Sequence, residues 1–381
     1  MLKRCIGIMV TVILLVCALM SVSAAESGIA DFVIDEKTRT LLRYNGEAAV
    51  VEIPDGIEFI GDGAFEESRV EQVNMPDSVI GIGSRAFSRC EKMTRIRLSA
   101  GLLSIGDYAF FDCYALESLE LPEKLVYIGS CAFSWYESVD GTAPGYSVIR
   151  IPASVVHISP VQSNFSGWTT LDDAPRFEVD AGNRFYRVED GMLIGHGTLI
   201  QYSNPEDGNP YRIVTVPEDV KMIAPCAFYG AEVLSVKLPA GLREIGQAAF
   251  AACGYLTELT IDCKETLTGR GIVYGCGPVL YDETLKDQLR SLSDDDENRV
   301  ISEEILSQLP DRPTLTLLNL DEWYASDGPQ PEELPWYISS FNGEPHMNMD
   351  IDCGYYYGEV CREMMEEDDE RYYGLEFVVQ E

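Results

Sequence analysis

Short apolar phrases return along this chain at a nearly fixed interval. Ile53-Pro54, Ile60-Gly61 and Ala64-Phe65 recur as Met75-Pro76, Ile82-Gly83 and Ala86-Phe87, then as Leu98-Ser99, Ile105-Gly106 and Ala109-Phe110. Leu121-Pro122, Ile128-Gly129 and Ala132-Phe133 follow, and Leu238-Pro239, Ile245-Gly246 and Ala249-Phe250 form a later copy, with Val216-Pro217, Ile223 and Ala227-Phe228 a looser one. The phenylalanines at 65, 87, 110 and 133 step by 22, 23 and 23 residues, and 228 to 250 by 22. Ahead of the proline, apolar positions such as Leu116, Leu119 and Leu121 predict one short strand with a single buried face. Proline ends that strand, the glycine of Ile-Gly permits a turn, and Ala-Phe turns an aromatic ring inward.

A unit of this size cannot bury its apolar side alone, so neighbouring coils must stack and carry one core along an axis. The pattern Ile/Leu-Pro-x-x-Leu/Val-x-x-Ile-Gly-x-x-Ala-Phe-x-x-Cys resembles the BspA-type leucine-rich repeats of bacterial surface and secreted proteins, over roughly residues 31–281. The resemblance implies a leucine-rich-repeat solenoid of parallel strands, exported from the cell, with relatives that resemble adhesins and with no catalytic residue to carry over. The last coil is degenerate, Ile261 and Cys276 lying 23 residues after Leu238 and Cys253, and the repeat ends near Tyr281.

Two stretches depart from the period. Ile151-Pro152, Val155 and Ile158-Ser159 begin a copy in which Phe165 replaces the Ala-Phe pair, which predicts a distorted coil. An insert at about residues 171–212 follows, Phe177-Glu178-Val179-Asp180, Met192-Leu193-Ile194 and Leu199-Ile200-Gln201-Tyr202, before Val216-Pro217 resumes the repeat. Phe32-Val33-Ile34-Asp35 and Leu41-Leu42-Arg43-Tyr44 echo it. Both read as β-hairpins leading into a coil, and residues 31–52 serve as an N-terminal cap on a solenoid spanning 25–281.

Residues 1–24 have the parts of a secretory leader: Lys3 and Arg4, an apolar run from Cys5 to Met20, and Val22-Ser23-Ala24 before cleavage. The run is shorter than the ~20 residues that span a bilayer, and no later segment is long enough, so no membrane span is expected in the mature chain. The destination is therefore secreted or extracellular, with the bacterial cell surface included. A formal charge of −35 from 28 basic and 63 acidic residues argues against nucleic acid, which needs basic patches. Residues 282–381 form a separate acidic, aromatic-rich α+β region, with helical spacing over 282–292 and over 302–309, where Ser302 is the N-cap. From residue 294 onward, 24 acids face four arginines, a net of −20.

Catalysis finds no recognisable constellation. His157, His196 and His346 lack a nucleophile's flank, and no Gly-x-Ser-x-Gly or phosphate-cradling loop occurs. Asp294-Asp295-Asp296-Glu297 and Glu366-Glu367-Asp368-Asp369-Glu370 lack the ligand order of a calcium loop and read as solvated charge, so neither metal nor cofactor is expected. Of nine mature cysteines, Cys90, Cys113, Cys253 and Cys276 share one repeat position and predict a packed ladder, with Cys90 and Cys113 within reach of a bridge. The remaining five, Cys131, Cys226, Cys263, Cys353 and Cys361, are odd in number and exclude a full disulfide framework.

The reading is a secreted or surface binding and adhesion module for a protein or glycan; the alternative is a solenoid delivering a carbohydrate-active or other enzymatic domain in 282–381. Side chains alternate faces along a strand, so the residue before each apolar-Pro position points outward. Asn74, Arg97, Glu120, Arg150, Lys237 and Thr260, with Arg95 one outward step earlier, are the candidate ligand face. Ser235 shares the outward step of Arg95. Arg95, Arg97, Arg150 and Lys237 predict a neutral-to-basic stripe on an acidic body, suited to an anionic partner or to the protein's own tail.

Overall fold

The computed structural model describes residues 29–135, 148–159, 175–204, 212–262, 266–268, 301–309, 314–318 and 376–380. The leader, Phe165, His346, Cys263, Cys276, Cys353, Cys361, residues 282–292, both acidic runs and the aromatic residues proposed for an enzymatic tail lie outside them.

Each repeat supplies one turn of a solenoid carrying two strand rows. In the first row Val50–Glu52 pairs in parallel with Gln72–Asn74, and that strand with Arg95–Arg97. The second row is built from two-residue strands at the Ile-Gly position: Phe59–Ile60, Gly81–Ile82, Ser104–Ile105, Tyr127–Ile128 and His157–Ile158 pair in parallel, in that order. A third ladder runs through the Ala-Phe turns. The N–H groups of Phe65, Phe87 and Phe110 donate to the carbonyls of Ala86, Ala109 and Ala132 one coil on, at 2.7, 2.8 and 2.8 Å. The same bond sets the rings over one another, Phe65 on Phe87 at 4.9 Å, Phe87 on Phe110 and Phe110 on Phe133 at 5.3 Å, the last two pairs within 1° of coplanar.

Three local expectations are corrected. The glycine of Ile-Gly is required by coil-to-coil approach and not by its φ: a Cβ on Gly106 would lie 2.7 Å from Gly83 C and one on Gly129 2.5 Å from Asp107 N. The left-handed residues lie beside Ala-Phe instead, at Arg85 (φ 56°), Tyr108 (56°) and Cys131 (51°) before it and at Glu67, Arg89 and Asp112 after it. Such a backbone costs a non-glycine residue about 1–2 kcal/mol, which the Phe-to-Ala bond and the ring stack offset at every turn. Secondly, Leu116, Leu119 and Leu121 are buried as expected but form no ladder strand; only the Glu117 N–H reaches back, to Thr94 O at 3.0 Å. Thirdly, Cys90 and Cys113 do not bridge. Both are free and buried, and the thiols of Cys90, Cys113 and Cys253 donate to Phe65 O, Phe87 O and Phe228 O of the coil before, at 3.1, 3.2 and 3.0 Å. Burial pushes the Cys90 thiol up to about 11 and raises Cys113 well above its ordinary value. The repeat's cysteine therefore supplies the small donor that satisfies a buried phenylalanine carbonyl.

At the N-terminal end, Phe32–Asp35 and Thr40–Tyr44 form an antiparallel hairpin whose second strand pairs in parallel with Phe59–Ile60. Tyr44 begins the ring stack, 5.1 Å from Phe65, and its N–H donates to Ala64 O. The device returns in mid-chain. Tyr186–Glu189, Met192–Gly195 and Thr198–Tyr202 are antiparallel, the last pairs in parallel with Met222–Ile223, and Tyr202 begins a second stack over Phe228 and Phe250 at 5.0 and 5.1 Å. Arg176–Val179 is not part of this hairpin: it pairs in parallel with Val148–Ile151 and is an ordinary first strand. Met192, opposite Tyr202, occupies the place that Phe32 holds opposite Tyr44, so the likeness of Phe177 to Phe32 in sequence does not extend to position.

The second hairpin divides the interior. Leu193 and Ile200 join the core that begins at Phe32, whereas Met192, Ile194, Leu199 and Tyr202 join the core that runs on to Ile261. A strand buried on both faces reads as a continuous apolar run, and these do. Tyr186 and His196 tie the hairpin to the coil before it: the Ile158 N–H donates to Tyr186 Oη at 2.7 Å, and His196 Nε2 donates to Val156 O at 2.8 Å. Along the preceding coils that carbonyl column accepts backbone N–H groups, Val126 from Val156 and Leu103 from Val126, so the imidazole ends a ladder the backbone cannot continue.

In the C-terminal region a short helix, Glu303–Gln308, starts at Ser302, whose side chain accepts the Ile305 N–H at 3.2 Å, as the sequence predicts. Leu306 and Leu309 pack with Leu234. Thr314–Leu318 pairs in parallel with Glu258–Asp262, and Glu376–Gln380 with Thr314–Leu318, so the first row continues past the last recognisable repeat.

Phe110 is 1% exposed between two stacked rings. Phe110→Ala is expected to lower the unfolding free energy by about 3–5 kcal/mol; a denaturant titration that shows less than about 1 kcal/mol would contradict this stacking. A second expectation concerns pH. His157 stacks on Tyr127 at 5.2 Å, and lost solvation followed by the charge of His196 holds its pKa below the ordinary 6.5. The unfolded chain then binds this proton more readily, so stability is full above about pH 6.5 and falls as acid protonates the ring. His157→Phe, which keeps the stack, should reduce the loss of Tm between pH 7.5 and 5.5; an equal loss in both proteins would contradict it.

Candidate functional site

Most positions read as outward are exposed, but their cations do not form one stripe. Arg95, Arg97, Glu120, Arg150, Lys237 and Thr260 are exposed, and Asn74 is half-buried. Ser235 is 2% exposed, bonding to Glu258 beside the helix contact at Leu234. The arginines meet carboxylates on neighbouring coils or turns: Arg95 faces Glu117 at 3.6 Å, Arg97 faces Asp77 at 3.4 Å and Arg150 faces Glu178 at 2.7 Å. Asn74 Nδ2 donates to Glu52 at 2.6 Å. Nor does the row bring them together. Arg95 and Arg97 lie on a three-stranded sheet, Arg150 on a two-stranded one, and Lys237 on a five-stranded one.

Between the last two sheets lies a feature that the periodicity did not reveal. Met192–Gly195 and Thr198–Tyr202 add two strands to the second row, and among the described residues no first-row strand accompanies them. Among the described residues, no first-row strand stands between Arg176–Val179 and Ile213–Thr215. A groove of about 800 Å³ is lined by residues of both strands and by Gly191, Tyr202, Asn204, Lys237 and Glu304. Phe177 and Val214 are buried on these strands, while Arg176, Glu178 and Thr215 between and beside them are exposed. Asn204 Oδ1 accepts the Glu232 N–H at 3.1 Å, but its Nδ2, although shielded from solvent, has no acceptor.

Among the described residues no group of three His, Cys, Asp or Glu side chains could hold a metal ion. Burial pushes the Cys131 thiol up to about 11 and the Cys226 thiol up to about 12, the reverse of what a thiolate nucleophile needs. No described helix is long and apolar enough to cross a membrane.

Similar solved structures include a leucine-rich repeat protein from Eubacterium ventriosum, 19% identical with a TM-score of 0.43 over 62% of this chain and 61% of that one. The pneumococcal vaccine antigen PcpA is 18% identical with a TM-score of 0.40, over 75% and 65% of the two chains. A leucine rich cell surface protein from Faecalibacterium prausnitzii is 20% identical with a TM-score of 0.37, over 60% and 80%. The chain thus spans less than two thirds of the length of the first two. Nothing among curated proteins matches it. The BspA type leucine rich repeat region matches in six copies over residues 43–159 and 208–295, more than half of the sequence and on both sides of the junction hairpin, and the chain belongs to that family.

Proposed function

We propose that this protein works outside the cell as a binding module for a protein ligand, which it meets on the outward side chains of the first strand row. The family is one of bacterial surface proteins with a binding role. A leader at residues 1–24 would export the chain, and the acidic surface would keep it soluble and indifferent to polyanions.

One observation carries the choice of ligand class. The arginines of the row already face carboxylates, at Arg95–Glu117, Arg97–Asp77 and Arg150–Glu178. A polyanionic glycan would have to displace each carboxylate. A protein surface with its own mixture of signs meets such a mosaic without that cost, and complementary charge then sets specificity and approach rate more than strength.

The test is replacement of Arg95, Arg97, Arg150 and Lys237 together by Ser. Exposed ion pairs contribute about 0–1 kcal/mol each, so the variant should fold with little change in Tm. Retention of extracellular proteins on the immobilised full chain should weaken, and weaken less at high salt, where the parent interaction is already screened. Retention that is unchanged by the quadruple substitution, or a parent chain that reproducibly retains nothing, would defeat the proposal.

A further inference from the structure

We infer that the outward face of the second strand row binds a second copy of this chain, turned end for end, so that the protein forms a two-fold dimer. The inference goes beyond the ligand reading and does not rest on it, since the first row takes no part.

The two rows differ in what they show to solvent. Among the described residues eight large apolar side chains are exposed, by 38–48%, and every one lies in a strand of the second-row sheets or one residue before it. The first row shows none of this kind and carries the paired arginines instead. Phe59, Leu103, Val126 and Val156 form the middle of the face. Val33 and Leu42 of the N-terminal hairpin extend it at one end, and Phe185 and Val188 of the junction hairpin at the other. An exposed apolar patch of this extent marks a surface that another molecule covers.

Backbone bonds fix the order within it. The N–H groups of Ile80, Leu103, Val126 and Val156 donate to Glu58 O, Ile80 O, Leu103 O and Val126 O at 2.8, 2.9, 2.8 and 2.9 Å, and His196 Nε2 donates to Val156 O at 2.8 Å. One residue per coil is thus aligned as Glu58, Ile80, Leu103, Val126, Val156 and His196, at the ~4.8 Å spacing of strands. The column is apolar in its middle, with a carboxylate at one end and an imidazole at the other.

That order selects the occupant. In a two-fold contact residue i meets residue j and j meets i. With the axis between Leu103 and Val126, Leu103 meets Val126 of the second copy, Ile80 meets Val156, and Glu58 meets His196, acid against base at both ends. Charge near the ends is already held in pairs of both signs, Arg39 with Glu58 at 2.5 Å and Arg187 with Asp219 at 2.8 Å. A dimer of the opposite sense would instead set Glu58 against Glu58 and Arg39 against Arg39. A formal charge of −35 makes two copies repel at long range, so contact is least opposed along an uncharged strip.

Sedimentation equilibrium of the full chain over a concentration series should give a monomer–dimer equilibrium. Its dissociation constant should fall as salt rises from about 50 to about 500 mM, because salt screens the repulsion of two acidic bodies and leaves apolar contact intact. Leu103→Lys and Val126→Asp, at exposed positions where Tm should hardly change, should each raise that constant about 10-fold or more, since each buries a charge opposite an apolar group. Mixing the two variants should restore association, because across the axis the introduced cation faces the introduced carboxylate. The quadruple Ser variant of the first row should dimerise as the parent does, which separates failure of this face from failure of the ligand reading. A parent that stays monomeric throughout, or a constant that rises with salt, would overturn the inference. So would variants that dimerise like the parent, a mixture no stronger than either variant alone, or loss of the dimer on first-row substitution. The salt series on the parent gives an answer even where a variant fails to fold.

Discussion

Everything in this molecule depends on one contact repeated coil by coil: a phenylalanine ring laid on the ring of the next coil, with its N–H donated to the alanine carbonyl beside that ring. A coil has no interior of its own, so its apolar side is stable only when another coil covers it. The other features of the repeat serve that approach. Glycine keeps Cβ atoms out of the way, two left-handed residues bend the chain around the ring, and cysteine donates to the ring residue's otherwise unsatisfied carbonyl.

Such a stack must begin somewhere, and here it begins twice. Tyr44 and Tyr202 take the phenylalanine place at the start of their stacks, each on the second strand of a hairpin, and each donates its N–H to the alanine of the following coil. The first hairpin covers a free end. The second stands inside the solenoid, shares its residues between two cores, and adds strands to the second row. Tyr186 and His196 fasten this hairpin to Ile158 and Val156 of the coil before.

The period, the buried ladder and the hairpins were legible in the sequence because stacking demands the same residue type at the same step, and Phe65, Phe87, Phe110 and Phe133 supply it. Ser302 announced its helix for an equally local reason, a cap three residues from the N–H it satisfies. What stayed hidden depends on relations between coils. The partners of Arg95, Arg97 and Arg150 lie 22, 20 and 28 residues away in sequence, and outwardness alone does not disclose them. The likeness of Phe177 and Asp180 to Phe32 and Asp35 did not reveal its role, because matching residues say nothing about whether a strand turns back on itself or pairs with the coil before. The place of the second hairpin between two cores was marked in the sequence by its unbroken apolar runs over Met192–Ile194 and Leu199–Ile200, the sign of a segment buried on both faces.

The central claim is that the junction hairpin holds Arg176–Val179 and Ile213–Thr215 apart, and cysteine trapping tests it most directly. A disulfide needs Cα atoms within about 7 Å. Thr215 and Lys237 are exposed partners on adjacent strands, so the double variant Thr215→Cys, Lys237→Cys should oxidise readily to an intramolecular disulfide. Glu178→Cys with Thr215→Cys, exposed on the two facing edges, should stay reduced under the same conditions while a longer bis-maleimide joins them. Equal disulfide formation in both pairs would mean that the two strands are adjacent and that the hairpin does not separate them.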